Sequence, residues 1–215
     1  SEGSFYTPCS VVVDILPVGE DATATPVLKE WVKNRFVSLT GELDTEFGYV
    51  FENYDYVQNY GYGQVANPKS LRIQLGDNLN LAGTEPATKT HSPILGFAYD
   101  GNPIYGPFGY ENPLDSSSSI ARMTSSYSLK GSRTAGPDAI QYPMGSFIDD
   151  YQYNHRSGSL DENNGRFCIT PDFPEGTYAY FLTIDSNQVP KFPYVLGDNF
   201  YSLPVDSNYS SPINQ

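Results

Sequence analysis

His91 opens a block that runs to Tyr110 and carries Asp100 within it. An imidazole oriented by a carboxylate is the pairing on which general-base catalysis rests. A nucleophile opposite that base would also be needed, and the sequence marks none. It has no Gly-x-Ser-x-Gly elbow, and neither Cys9 nor Cys168 sits in a motif. A buried or turn-capping histidine is therefore the favoured reading, no catalytic residue is assigned, and the chain is expected not to be an enzyme.

Oxygen ligands are more plentiful than nitrogen ones. Asp149, Asp150, Asp161, Glu162, Asn163 and Asn164 would suit a hard cation such as calcium, whereas the two histidines of the chain, His91 and His155, do not suffice for a His-rich transition-metal centre. The run Asp161-Glu162-Asn163-Asn164-Gly165 fits only part of an EF-hand loop. Surface turns rank ahead of calcium, with Asp161 pairing to Arg166 inside the turn, so no metal ligand and no cofactor is assigned. The candidate polar site comprises His91, Asp100, Tyr105, Asp161, Glu162 and Arg166. Tyr49, Tyr54 and Tyr56 form a second candidate set, for glycan contact, because a tyrosine ring has an apolar face and a polar tip. Cross-strand aromatic packing is the plainer account of those three.

The elements that must position these residues are mostly strands. Asp100-Gly101-Asn102-Pro103 is a tight-turn signal and predicts a break between strands at Ile94 to Tyr99 and Ile104 to Tyr105. Phe167 to Thr170, a turn at Pro171 to Gly176, and the β-prone run Thr177 to Ile184 read as a hairpin. Leu71, Ile73 and Leu75 alternate with Arg72 and Gln74, which predicts a strand at Ser70 to Leu75. Leu28, Trp31, Val32, Phe36 and Leu39 recur at helical spacing behind Thr25-Pro26, which predicts one short helix over Thr25 to Leu39. The fold class expected is mainly β, β-sandwich-like, with long irregular loops and that helix. The expected core includes Ile94, Leu95, Phe97, Ile104, Tyr105, Phe147, Ile148, Phe167, Ile169, Tyr178, Tyr180 and Leu182. Three regions are expected: a β-rich N-terminal part over 1–89, a β domain over 90–200 and an extended tail over 201–215.

Composition narrows the partners. The 215 residues carry 25 acidic and 12 basic side chains, a net charge of −13, so phosphate backbones are repelled and no nucleic-acid partner is expected. No run approaches the ~18 apolar residues that span a bilayer, so no membrane partner is expected. Cys9 and Cys168 are consistent with one long-range bridge or with two thiols in a β core.

His91 to Tyr110, Tyr142 to Tyr151, Leu160 to Thr183 and Phe192 to Gly197 together resemble the YHYH domain. The Tyr-His-Tyr-His run that names the family falls at Tyr178-Ala179-Tyr180-Phe181, where both histidines are absent. This version is most similar to domains of virion structural proteins from contractile-tailed phages of cyanobacteria and marine viruses. The resemblance implies a bacteriophage virion component such as a fibre, baseplate or decoration protein. It would be located in the particle, oligomeric, and partnered by other virion proteins, copies of itself and a host-surface glycan. The alternative is a secreted carbohydrate-binding or carbohydrate-cleaving β domain.

Overall fold

Thr177-Tyr178-Ala179-Tyr180-Phe181 has apolar or aromatic side chains at both parities, the pattern of a strand covered on both faces. A computed structural model describes residues 9–14, 25–53 and 59–204, and puts this run inside its largest sheet. In chain order the elements are β1 (Cys9–Asp14), β2 (Thr25–Glu30), α1 (Arg35–Ser38), β3 (Gly48–Asn53), β4 (Asn59–Gln64), α2 (Lys69–Gln74), β5 (Ile94–Phe97) and β6 (Pro103–Tyr105). They continue with β7 (Phe108–Tyr110), β8 (Ile120–Arg122), β9 (Tyr127–Leu129), a 3-10 turn (Ile148–Asp150), β10 (Tyr151–Tyr153), β11 (Gly165–Cys168) and β12 (Thr177–Phe181). The architecture is mainly β with long irregular connections.

One four-stranded sheet has the order β11-β12-β6-β5, and four two-stranded sheets pair β1 with β2, β3 with β4, β7 with β8 and β10 with β9. This set of small sheets stands in place of a sandwich of two broad ones. Strands of three residues, such as β6 to β10, end too soon at Gly, Pro and Asn turns to build wide sheets. In the large sheet β12 runs antiparallel to β11 and parallel to β6, with Tyr180 opposite Ile104 and Phe181 opposite Tyr105. The connection from β5 to β6 is the turn expected at Asp100. Gly101 takes φ +82°, its N–H donates to Ala98 O at 2.9 Å, and Asp100 Oδ1 accepts from Asn102 N at 3.2 Å.

Two element assignments differ from the sequence pattern. Thr25 to Glu30 is strand rather than helix, because it pairs along its whole length with β1, from Cys9 opposite Glu30 to Asp14 opposite Thr25. Helix survives only as the single turn α1. Conversely, Ser70 to Gln74 lies in helix α2, where the buried residue is Arg72, while Leu75 at its C-terminal cap is 44% exposed. The Arg72 guanidinium donates to Asp77 Oδ2 at 2.6 Å and to Asn67 Oδ1 and Gln188 Oε1 at 2.7 Å each. That buried polar cluster, and not the alternating leucine and isoleucine, sets the helix orientation.

The chain forms two compact units, one of residues Ser1–Gly41 with Ser128–Gln152, the other of Glu42–Tyr127 with Tyr153–Gln215. In the first, the buried Trp31 and Phe147 rings meet edge to face at 5.8 Å, and Asp150 forms an ion pair of 2.6 Å with Arg133. Asp150 also accepts from the backbone N–H of Gly145 and Phe147. Burial opposes ionisation of Asp150, but these partners hold its pKa below the usual 3.8. The second unit contains the four-stranded sheet, both of whose faces are covered. Tyr105, Ala179, Phe181, Cys168, Met123 and Leu160 cluster on one side, and Tyr178, Tyr180 and Ala98 on the other.

Most of the expected core is where it should be: Tyr105, Phe147, Tyr178, Tyr180 and Leu182 are buried, and Ile94, Leu95, Ile104, Ile148 and Ile169 partly so. Phe97 and Phe167 are the exceptions, 62% and 55% exposed. Both belong to the outer strands of the sheet, β5 and β11, where a side chain lacks a neighbour on one side.

Candidate functional site

Alternation along β12 divides the candidate polar residues into two groups. Thr177, Ala179 and Phe181 point one way, Tyr178 and Tyr180 the other. Register carries the division across the sheet: Arg166 lies opposite Ala179, Cys168 opposite Thr177 and Tyr105 beside Phe181.

On the Tyr178/Tyr180 face the hydroxyls are fully used. Tyr178 Oη donates to the Asp161 carboxylate, at 2.9 and 3.0 Å from its two oxygens. Tyr180 Oη donates to Asp100 Oδ2 at 2.7 Å and accepts from Tyr201 N at 2.7 Å. Asp100 Oδ2 accepts further from Asn102 Nδ2 at 2.8 Å and Ser202 N at 3.1 Å. The Tyr178 and Tyr201 rings stack at 3.7 Å. Burial, with the adjacent carboxylates, pushes both phenols well above their ordinary 10. For Asp100, burial works against ionisation, while the hydrogen bonds from Tyr180, Asn102 and Ser202 outweigh it and lower the pKa.

On the Ala179/Phe181 face the polar groups are less well matched. The His91 ring lies 5.1 Å from the rings of Tyr105 and Tyr110 and 6.1 Å from that of Phe181. Its Nδ1 is 2.8 Å from the Ser92 carbonyl oxygen, which can only accept, so Nδ1 carries the proton and the neutral ring keeps its lone pair on Nε2. Burial holds the His91 pKa below 6.5, and nearby Arg166 adds to this against the opposing pull of the Ser92 carbonyl. Arg166 Nη2 donates to Tyr110 O at 2.5 Å, and its guanidinium sits 5.5 Å from the Phe181 ring centre. Gly109 leaves room for it: a Cβ there would lie 3.1 Å from both Arg166 Nη2 and the Phe181 ring. Tyr105 Oη bonds Thr170 Oγ1 at 2.9 Å and donates to Asp172 Oδ2 at 3.1 Å.

The matching family is described as YHYH protein, over residues 20–194. The chain belongs to the YHYH protein family. The match begins well before His91 and takes in β2, β3 and β4, while β1 precedes it. No curated protein and no solved structure matches the chain. In this YHYH chain the run that resembles the name-giving motif forms β12. Ala179 and Phe181, the positions at which the resemblance in sequence would set the two imidazoles, are both fully buried. A methyl group and a phenyl ring have no lone pair to give a metal, so these two positions do not fit a metal site.

The six candidate polar residues therefore separate. His91, Tyr105 and Arg166 share the Ala179/Phe181 face. Asp100 and Asp161 serve the opposite face, and Glu162 is exposed, its backbone carbonyl accepting from Tyr127 Oη at 2.8 Å. Asp100 does not orient His91, because its carboxylate is taken by Tyr180, Asn102 and Ser202. Nor does Asp161 pair with Arg166. Its Oδ1 caps the turn through the N–H groups of Asn163 and Gly165, and the strand pleat aims Arg166 away. Of the oxygen-rich cluster, Asp149 and Asp150 lie in one unit and Asp161 to Asn164 in the other. Tyr49 is half-buried in β3, and Tyr54 and Tyr56 lie outside the described residues. Cys168 is a buried free thiol, and the side chain of Cys9 lies outside those described.

Sequence reasoning missed Cys168, Thr170 and Asp172 as members of the Ala179/Phe181 face. The hairpin register could have found Cys168, two residues on from Arg166, whereas Thr170 and Asp172 lie beyond β11 and had no such signal. The buried Arg72 and Asp77 cluster had no comparable signal. It depends on Gln188, more than a hundred residues away in sequence.

Proposed function

We propose that this YHYH protein is a non-enzymatic structural or adhesive component of a contractile-tailed phage particle, acting through contacts with other virion proteins and with copies of itself. The observation that carries this reading is that Ala179 and Phe181, where the resemblance sets the name-giving histidines, are fully buried, so this strand face is given to packing. The similarity of this version to virion domains supports it, as does a turn-rich chain with 18 tyrosines and 19 glycines, a composition suited to wet, adaptable contacts. The test is mass spectrometry and antibody labelling of purified particles. The expected result is this chain at regular positions with a fixed copy number. A protein absent from particles, monomeric and turning over a substrate would overturn the reading. Carbohydrate binding by the tyrosines of residues 49–56 is the competing account. Glycan-array binding lost in Tyr54→Ala or Tyr56→Ala, with no particle association, would favour it.

A further inference from the structure

Two polar atoms buried at the Ala179/Phe181 face have no hydrogen-bond partner among the described residues: His91 Nε2 and Arg166 Nε. Their side chains meet at the same place. Both pack against the Phe181 ring, and both contact Tyr110, His91 through ring contact and Arg166 through the bond to its carbonyl. Other arginines of the described residues are differently placed. Arg72, Arg122 and Arg133 each face a carboxylate at 2.6 Å, whereas Arg166 has none within ion-pair distance among those residues. The Cys168 thiol lies beside it within hydrogen-bonding reach, and burial raises the thiol pKa against the opposing pull of Arg166, so it supplies no counter-charge. A largely buried guanidinium without a counter-charge is costly, and a bound anion would offset that cost.

The chemistry of the two free atoms is complementary. Arg166 Nε carries a hydrogen and a positive charge, and His91 Nε2 carries a lone pair. A ligand that answers both offers one negative oxygen to the arginine and one hydroxyl hydrogen to the histidine. A single negative charge matches the single unpaired cation, and a dianion is disfavoured by the net charge of −13. We propose that the Ala179/Phe181 face binds a small hydroxy-carboxylate, its carboxylate on Arg166 Nε and its hydroxyl donating to His91 Nε2. The Tyr105, Tyr110 and Phe181 rings would pack its carbon skeleton. This site stands independently of the particle reading, and neither depends on the other.

The experiment is nitrogen-15 NMR of the imidazole groups in the full chain, titrated with glycolate, acetate or ethylene glycol. With two histidines in the sequence, exposed His155 serves as the internal reference. Glycolate is expected to move the His91 Nε2 resonance saturably, with a dissociation constant of roughly 1 mM and about tenfold weaker binding for acetate and ethylene glycol. Arg166→Met is expected to abolish the response while leaving the His155 signal unchanged. No saturable change up to about 50 mM glycolate, an equal response to acetate, or an equal shift at His155 would overturn the proposal. So would an undiminished response in Arg166→Met. Should that variant fail to fold, the comparison of glycolate with acetate on the unmodified chain decides alone.

Discussion

The two faces of β12 are built from one five-residue run yet differ in how their polar groups are satisfied. On one face the Tyr178 and Tyr180 hydroxyls meet Asp161 and Asp100, and backbone N–H groups of Tyr201 and Ser202 complete the network. On the other, Tyr105 and Phe181 stack at 5.6 Å, but His91 and Arg166 each retain a buried atom without a partner among the described residues. The first face is organised for stability. The second tolerates an unpaired cation, a cost that folding alone does not explain.

Mutations can sharpen this contrast. The largest effect is expected from Phe181→Ala, which removes a fully buried ring touched by Tyr105, His91 and Arg166. Chemical denaturation should show a loss of about 3–5 kcal/mol. Next comes a pair with unlike outcomes. Tyr180→Phe takes one of several hydrogen bonds from the Asp100 carboxylate and strands the Tyr201 N–H, and should cost about 1–3 kcal/mol. Arg166→Met, which removes a buried charge lacking a counter-ion, should be neutral or stabilise by about 1 kcal/mol. A large loss in both variants would break the distinction between the faces.

The smallest effect is in pH dependence. Burial keeps the His91 pKa in the folded chain below 6.5, so the unfolded chain binds a proton that the folded one refuses. Stability should therefore fall as pH drops below about 6.5, until the folded-state pKa is passed. The charged groups that act on His91 are Arg166, Asp172 and Asp77. His91→Asn should flatten this part of the curve in a series of denaturation midpoints. Asp100 and Asp150, held below 3.8 by their partners, add their stabilisation above that value and lose it only in a lower window. The two contributions are thus separable.

The strand pattern was legible where local signals agreed. The turn at Asp100 to Pro103, the hairpin leading into Thr177, and the two-sided burial of β12 all follow from turn chemistry and aromatic content. Two local patterns misled. Thr25 to Glu30 has helical spacing but is claimed by β1, and Ser70 to Leu75 alternates like a strand but turns into helix to bury Arg72. Short apolar runs carry too little periodicity to decide between the two, so distant partners did.

For the site, the sequence by itself determined the residue types on β12 and hence that positions 179 and 181 carry no imidazole. It also determined that side chains two apart share a face. Only the tertiary structure decided that His91, from ahead of β5, and Arg166, from β11, come together against Phe181, while Asp100 and Asp161 go to the other side. Alternation is a local property of an extended backbone. Which strands lie beside one another, and so which polar groups find partners, is fixed by pairing across long stretches of chain.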